Sequence, residues 1–144
     1  MREKQFEEQV KRWLESKGIY RIGTPFDQMP IKPVGYWLKR WGGSKYIPKG
    51  VPDMQITVGI FNIDVELKSE TGHLDPLQVQ KLQQIKESGG YCMVLRPKTF
   101  DRFKEWIEAA IKRDYQLKCT GEVWGCYIGH DEFCDPEKVW KPCE

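Results

Sequence analysis

The sequence contains no run of about 18 consecutive apolar residues, so no membrane-spanning helix is expected. Its opening stretch, Met1 to Glu8, is charged and lacks the apolar segment of a secretory signal. Five cysteines is an odd number and no dense framework of them appears, which argues against a disulfide scaffold and for a reduced, cytoplasmic protein. No internal repeat or low-complexity tract is present. There is no large charge excess either: 23 Lys and Arg against 21 Asp and Glu leave +2, too little to imply a nucleic-acid partner by itself. One local absence says more. Between Asp27 and Asp53 there is no acid, while Lys32, Lys39, Arg40, Lys45 and Lys49 supply five bases, interleaved with Tyr36, Trp37, Trp41 and Tyr46. Cations for phosphates and flat rings for bases suit a nucleic-acid surface. A solvated loop whose aromatics cap the core is the plainer alternative.

What is present suits one domain: 144 residues, 40% hydrophobic and 12% aromatic, enough to close a core. Residues 2–17 read as a helix, with Phe6, Val10, Trp13 and Leu14 on one face and Gly18 as its stop. From Thr24 to Gly50 prolines and glycines punctuate a long segment, with a short strand or helical turn around Tyr36 to Trp41. Met54 to Val58 and Phe61 to Ser69 read as strands joined at Gly59-Ile60. In the second, Phe61, Ile63, Val65 and Leu67 face the core, and Asn62, Asp64, Glu66 and Lys68 share the other face. Asp75-Pro76 opens a helix that Gly89-Gly90 closes. Tyr91 to Leu95 is a buried strand, and a last helix over 99–113 turns Phe100, Phe103, Ile107, Ala110 and Ile111 inward. The expected class is α/β, a mixed sheet with helices packed against it.

Phosphodiester hydrolysis needs charge neutralisation at the phosphate and an activated water, which a hard divalent cation held by carboxylates supplies. Asp53 opens the first hairpin strand, and thirteen residues later Glu66 lies on the second, two positions before Lys68. The two-residue period puts Glu66 and Lys68 on one face, and the turn near Gly59 brings Asp53 opposite them. Two acids would hold Mg²⁺ or Mn²⁺, with the Leu67 carbonyl as a further ligand, and the lysine would position the attacking water. A solvated strand face is the competing account, since Glu-x-Lys also occurs at Glu15-Ser16-Lys17.

Taken together, Gly50-Val51-Pro52-Asp53, Asp64-Val65-Glu66-Leu67-Lys68, Leu77-Gln78 and Gly89-Gly90-Tyr91 resemble the PD-(D/E)xK nuclease superfamily, its VRR-NUC branch above all, which is similar to Holliday-junction resolvases. The resemblance runs from about Glu3 to Ile111. It implies a restriction-endonuclease-like αβββαβ core over residues 1–114, with 24–50 as a basic, aromatic segment inside it and 115–144 as an extension. It also implies that Asp53, Glu66 and Lys68 form the catalytic motif, that Gln78 is the accessory glutamine, and that Glu7, or Glu3 in another register, approaches the metal. Gln78 could equally serve only the helix start, and Glu3 and Glu7 could be solvated edges. Gly43-Ser44-Lys45 resembles the family's glycine-rich stretch, where Ser44 and Lys45 would meet phosphate alongside Lys39, Arg40 and Lys49; a plain turn is the alternative.

The expectation is thus a Mg²⁺- or Mn²⁺-dependent deoxyribonuclease that leaves a 5′-phosphate, acting as a structure-selective, resolvase-like endonuclease. A homodimer is the assembly that the resemblance suggests. The rival from another class is a non-catalytic nucleic-acid-binding module on the same fold. Cys119, Cys126, Cys134 and Cys143, with His130 among them, lack a Cys-x2–4-Cys knuckle, so buried thiols are expected there rather than a zinc-stabilised interaction surface. His73 reads as an exposed loop histidine close to the expected site.

Overall fold

Alternating apolar residues in the middle of the chain and three amphipathic segments around them dictate the architecture. The computed structural model describes residues 2–40, 49–59 and 61–112. Ser44, Lys45, Trp41, Tyr46 and the 115–144 extension with its cysteines lie outside them. The described chain is α/β, a five-stranded mixed sheet flanked by helices. Its elements are α1 (Glu3–Ser16), β1 (Ile19–Arg21), β2 (Gly35–Lys39), β3 (Met54–Val58), β4 (Phe61–Leu67), α2 (Pro76–Glu87), β5 (Tyr91–Leu95) and α3 (Phe100–Lys112), with 3-10 turns at Phe26–Gln28 and Pro97–Thr99.

The strands lie in chain order, β1-β2-β3-β4-β5. β2, β3 and β4 form an antiparallel meander, while β1 and β5 pair in parallel with β2 and β4. The parallel β4–β5 link needs a crossover, and α2 provides it. β1 is the strand that periodicity did not reveal, because three residues are too short to show alternation. It is held by the 22–34 segment: the Tyr20 hydroxyl donates to the Ile31 carbonyl at 2.8 Å and accepts from the Ile31 N–H at 3.1 Å.

The two faces of the sheet differ. One carries the main core, in which Phe6, Val10 and Leu14 of α1 and Phe103, Trp106, Ile107 and Ala110 of α3 meet Trp37, Met54, Ile56, Val58, Ile63, Val65, Met93 and Leu95. The other is covered by α2 through a small cluster of Leu82, Cys92 and Val94. On that second face the side chains of β4 pass from exposed Asn62 through half-buried Asp64 to fully buried Glu66. The polar row foreseen from alternation therefore runs under the start of α2.

That start is built by its sequence. Asp75 accepts from the Gln78 N–H at 2.9 Å, and the Gln78 side-chain oxygen accepts from the Asp75 N–H at 3.0 Å, with Pro76 at the first helical position. No helix among the described residues is long and apolar enough to cross a membrane.

Central burial sets an expected outcome. Ile63 is completely buried in β4, an inner strand of the sheet, so Ile63→Ala should cost about 2–5 kcal/mol in urea unfolding. Thr57→Ala, on the exposed face of β3, should stay within about 0.5 kcal/mol. Comparable losses at the two positions would contradict the layering.

Candidate active site

Asp53 precedes β3 by one residue, and the Met54–Val65 pair sets the register next to it. Continued one residue outward, that register places Asp53 across from Glu66. The Asp53 side chain reaches over to β4, where its Oδ2 accepts the Leu67 N–H at 3.1 Å. The Leu67 peptide, expected to offer its carbonyl, is thus tied to the site through its N–H. Gln78 donates from Nε2 to Glu66 Oε1 at 2.8 Å while its oxygen caps α2. One amide therefore both caps the helix and bonds the Glu66 carboxyl.

Glu66 is only 2% exposed, and its second oxygen, Oε2, is buried with no hydrogen-bond partner among the described residues. A buried, half-satisfied carboxylate is costly to ionise. Burial pushes the Glu66 carboxyl up, the negative charge of Asp53 pushes it further, and the Lys68 ammonium pulls it partly back, leaving it at about 8 against an ordinary 4.5. Asp53, Glu66, Lys68 and Gln78 are thus brought together on the α2 side of the sheet.

Loop and helix are locked at this corner by Gly50. It has φ +85°, and a Cβ there would stand 2.5–2.8 Å from the carbonyl carbon, carbonyl oxygen and Cβ of Leu77 in the first turn of α2. The close approach carries Asp53 to the helix that bears Gln78.

No protein-family model matches this chain, and no curated protein matches it.

The remaining expected residues are placed differently. Glu7 is the acid of α1 that faces β2, whereas Glu3 and Glu8 are exposed. Glu7 is ion-paired to Lys39, and to Lys11 at 3.1 Å. Burial raises its pKa, but the hydrogen bonds and charges of the two lysines outweigh that and leave it lowered. Lys39 shares the β2 face of Trp37, which belongs to the α1–α3 core, so this ion cluster sits on the side of the sheet away from Glu66. Among the described residues no group of three or more His, Cys, Asp or Glu comes close enough to hold a metal, so Glu7 does not join Asp53 and Glu66.

Lys39 and Arg40, expected to meet phosphate, are both engaged within the fold. Arg40 donates to Asp64 Oδ1 at 2.7 Å, to Gln55 Oε1 at 2.6 Å and to the Pro52 carbonyl at 3.3 Å, and its N–H bonds the Asp53 carbonyl at 2.6 Å. Its role is to hold the Pro52-Asp53 turn in place. The reason is topological: β2 lies beside β3, so a residue 13 positions before Asp53 in sequence becomes its lateral neighbour. Lys49, next to Gly50, and His73, on the loop before α2, are both exposed. Arg96, at the end of β5, was not singled out from sequence; a cation directly after an apolar strand, in Leu95-Arg96-Pro97, was the available signal.

Two outcomes follow from this geometry. Gly50→Ala meets helix backbone rather than a flexible side chain, and φ is left-handed, so roughly 2 kcal/mol or more of stability should be lost; a loss below about 0.5 kcal/mol in urea unfolding would show that loop and helix are not locked. Glu66 sets a pH dependence. Between its unfolded value near 4.5 and its folded value of about 8 the folded chain holds a proton that the unfolded chain releases. Stability of the metal-free protein should therefore fall as pH rises through that window, by up to about 1.4 kcal/mol per pH unit. Glu66→Gln removes the dependence, so its unfolding midpoint should gain on wild type from about pH 5 to about pH 8. Parallel profiles would refute the assignment.

Proposed function

We propose that this domain is a divalent-metal-dependent nuclease that hydrolyses phosphodiester bonds in DNA. The observation that carries the reading is the buried Glu66 Oε2 beside Asp53, which has no hydrogen-bond partner among the described residues, with Lys68 on the same strand face. A protein whose only concern was stability would gain from an apolar residue at position 66. Two carboxylates facing each other across a hairpin with an unused acceptor form a hard-oxygen donor set that fits Mg²⁺ or Mn²⁺. Asp53 Oδ1 and Glu66 Oε2 are the atoms left for such an ion, since Oδ2 and Oε1 accept from Leu67 and Gln78. The bound cation would supply charge neutralisation at the phosphate and acidify a water.

The other groups have separable tasks. Gln78 orients Glu66, so that Oε2 rather than Oε1 is presented. Asp53 is oriented by the Leu67 N–H and by the Arg40 hold on its turn. Lys68 is a cation close enough to lower the Glu66 pKa, and an ammonium there can stabilise charge developing on a scissile phosphate or hold a water in line. The motif resemblance to PD-(D/E)xK nucleases supports the same reading, and a resolvase-like, structure-selective activity and a homodimer are its finer parts. Lys49 is the cation best placed to meet a phosphate backbone beside the site.

Labelled DNA duplexes, nicks, flaps and four-way junctions incubated with Mg²⁺, Mn²⁺ or EDTA test the reading. Cleavage should require metal. Asp53→Ala, Glu66→Gln and Lys68→Ala should each lose roughly 10²-fold or more in rate, and Gln78→Ala roughly 10- to 100-fold through loosened Glu66. In thermal melts Mn²⁺ should stabilise wild type and not Asp53→Ala. Binding of DNA without cleavage by wild type and variants alike would favour the non-catalytic module instead.

A further inference from the structure

Two charged residues are buried among those described: Glu66, which the site explains, and Arg96, at 7% exposure, which it does not. Arg96 follows β5 directly, and its backbone is fixed by Thr99, whose hydroxyl accepts from the Arg96 N–H and donates to the Arg96 carbonyl, each at 3.1 Å. From that anchored position Nη1 donates to the carbonyls of Ser69 and Gly72, both at 2.6 Å. These carbonyls belong to the turn that begins immediately after Lys68. A buried guanidinium is costly unless its hydrogen bonds are short and well aimed, and here they grip the same four-residue turn at both ends. The Glu70 carboxylate adds a third tie by accepting the Lys98 N–H at 2.6 Å.

Lys68 needs such a support. Its peptide N–H is held by the Leu95 carbonyl at 3.0 Å, but its ammonium makes no hydrogen bond or ion pair with a described residue. Its stem lies against the turn: a Cβ on Gly72 would stand 3.6 Å from Lys68 Cδ. A lysine without a polar anchor is placed by what its methylenes rest on. We propose that Arg96 is a positioning residue for Lys68, acting by clamping the Ser69–Gly72 turn on which the lysine stem is seated; this rests on the nuclease reading for its catalytic consequence, though not for its structural one. A site of this kind depends on orientation held to a fraction of an ångström, and a misplacement of about 1 Å can cost roughly 10²-fold.

The test uses Arg96→Met, which fills the volume without donors, and Arg96→Lys, which keeps a charge and a donor but not the planar fork. Fold is checked by circular dichroism and melting. In cleavage assays kcat should fall roughly 10²-fold for Arg96→Met, and by an intermediate amount for Arg96→Lys, while KM for DNA and the Mn²⁺ dependence stay within about twofold. Independently of cleavage, lysine labelled at 13Cε reports the order of the Lys68 side chain, its resonance identified by its loss in Lys68→Arg. Its heteronuclear NOE should be that of a rigid group in wild type and fall to that of exposed Lys32 in Arg96→Met. If Arg96→Met does not fold, Arg96→Lys should still shift kcat and the Lys68 resonance. Unchanged Lys68 order in the folded variants would overturn the proposal, as would kcat and KM losses that merely follow the folded fraction. A wild type that cuts no DNA would sink the nuclease reading and leave the NMR comparison to decide the clamp.

Discussion

The arrangement turns on one expensive interaction, the confinement of the Glu66 carboxyl beside Asp53 with its Oε2 unpaired among the described residues. Ionising it in place works against both burial and a neighbouring negative charge, so the fold must hold it there by other means. It does so through the core on the opposite face: Ile63, Val65 and Leu67 are completely buried, and strand geometry then forces Glu66 onto the other side. The apolar half of β4 supplies the energy that keeps the polar half in an unfavourable position.

Around that carboxyl the supporting contacts come from three separate parts of the chain. The α2 cap lends Gln78 to Glu66, Gly50 brings the Asp53 turn against α2, and Arg40 ties the same turn to Asp64 and Gln55. Arg96 grips the turn beyond Lys68 from the far side. Two of the arginines nearest the site are therefore spent on backbone carbonyls and carboxylates rather than offered to a ligand. The basic character of the 27–53 stretch is in part internal neutralisation: Lys39 answers Glu7 and Arg40 answers Asp64. This is the point at which charge counting misleads, because a window of sequence without acids says nothing about acids that folding brings alongside.

Much of the fold was legible. α1, α2, α3, β3, β4 and β5 each show a period or a terminator strong enough to read: the Phe6, Val10 and Leu14 spacing, the Asp75-Pro76 start, the Gly89-Gly90 stop, and the alternation from Phe61 to Lys68. β1 was not legible, being three residues held by pairing with β2 and by the Tyr20–Ile31 bonds. Trp106, buried in α3 at 3% exposure, was passed over although it stands one position before Ile107 on the inward side. In the site, Asp53, Glu66, Lys68 and Gln78 could be named because strand period and helix capping are local rules. Arg96 could not be named, and Arg40 was named only as a phosphate contact, because each acts on residues 12 to 27 positions away.

Local order thus determined which residues could share a face: a period of two in β4 obliges Asn62, Asp64, Glu66 and Lys68 to stand together, whatever else the chain does. Tertiary packing alone decided which of these would be dry. Asn62 remains in water, Asp64 is paired with Arg40, and Glu66 is sealed beneath the first turn of α2. Alternation specifies direction, but burial depends on what the crossover helix covers, and that is set by the close approach of Gly50 to Leu77 and the packing of Leu82 on Cys92 and Val94. The same distinction separates Glu7 from the carboxylate pair. Its helix face could be read from the spacing of Phe6 and Val10, whereas the side of the sheet on which that helix docks could not.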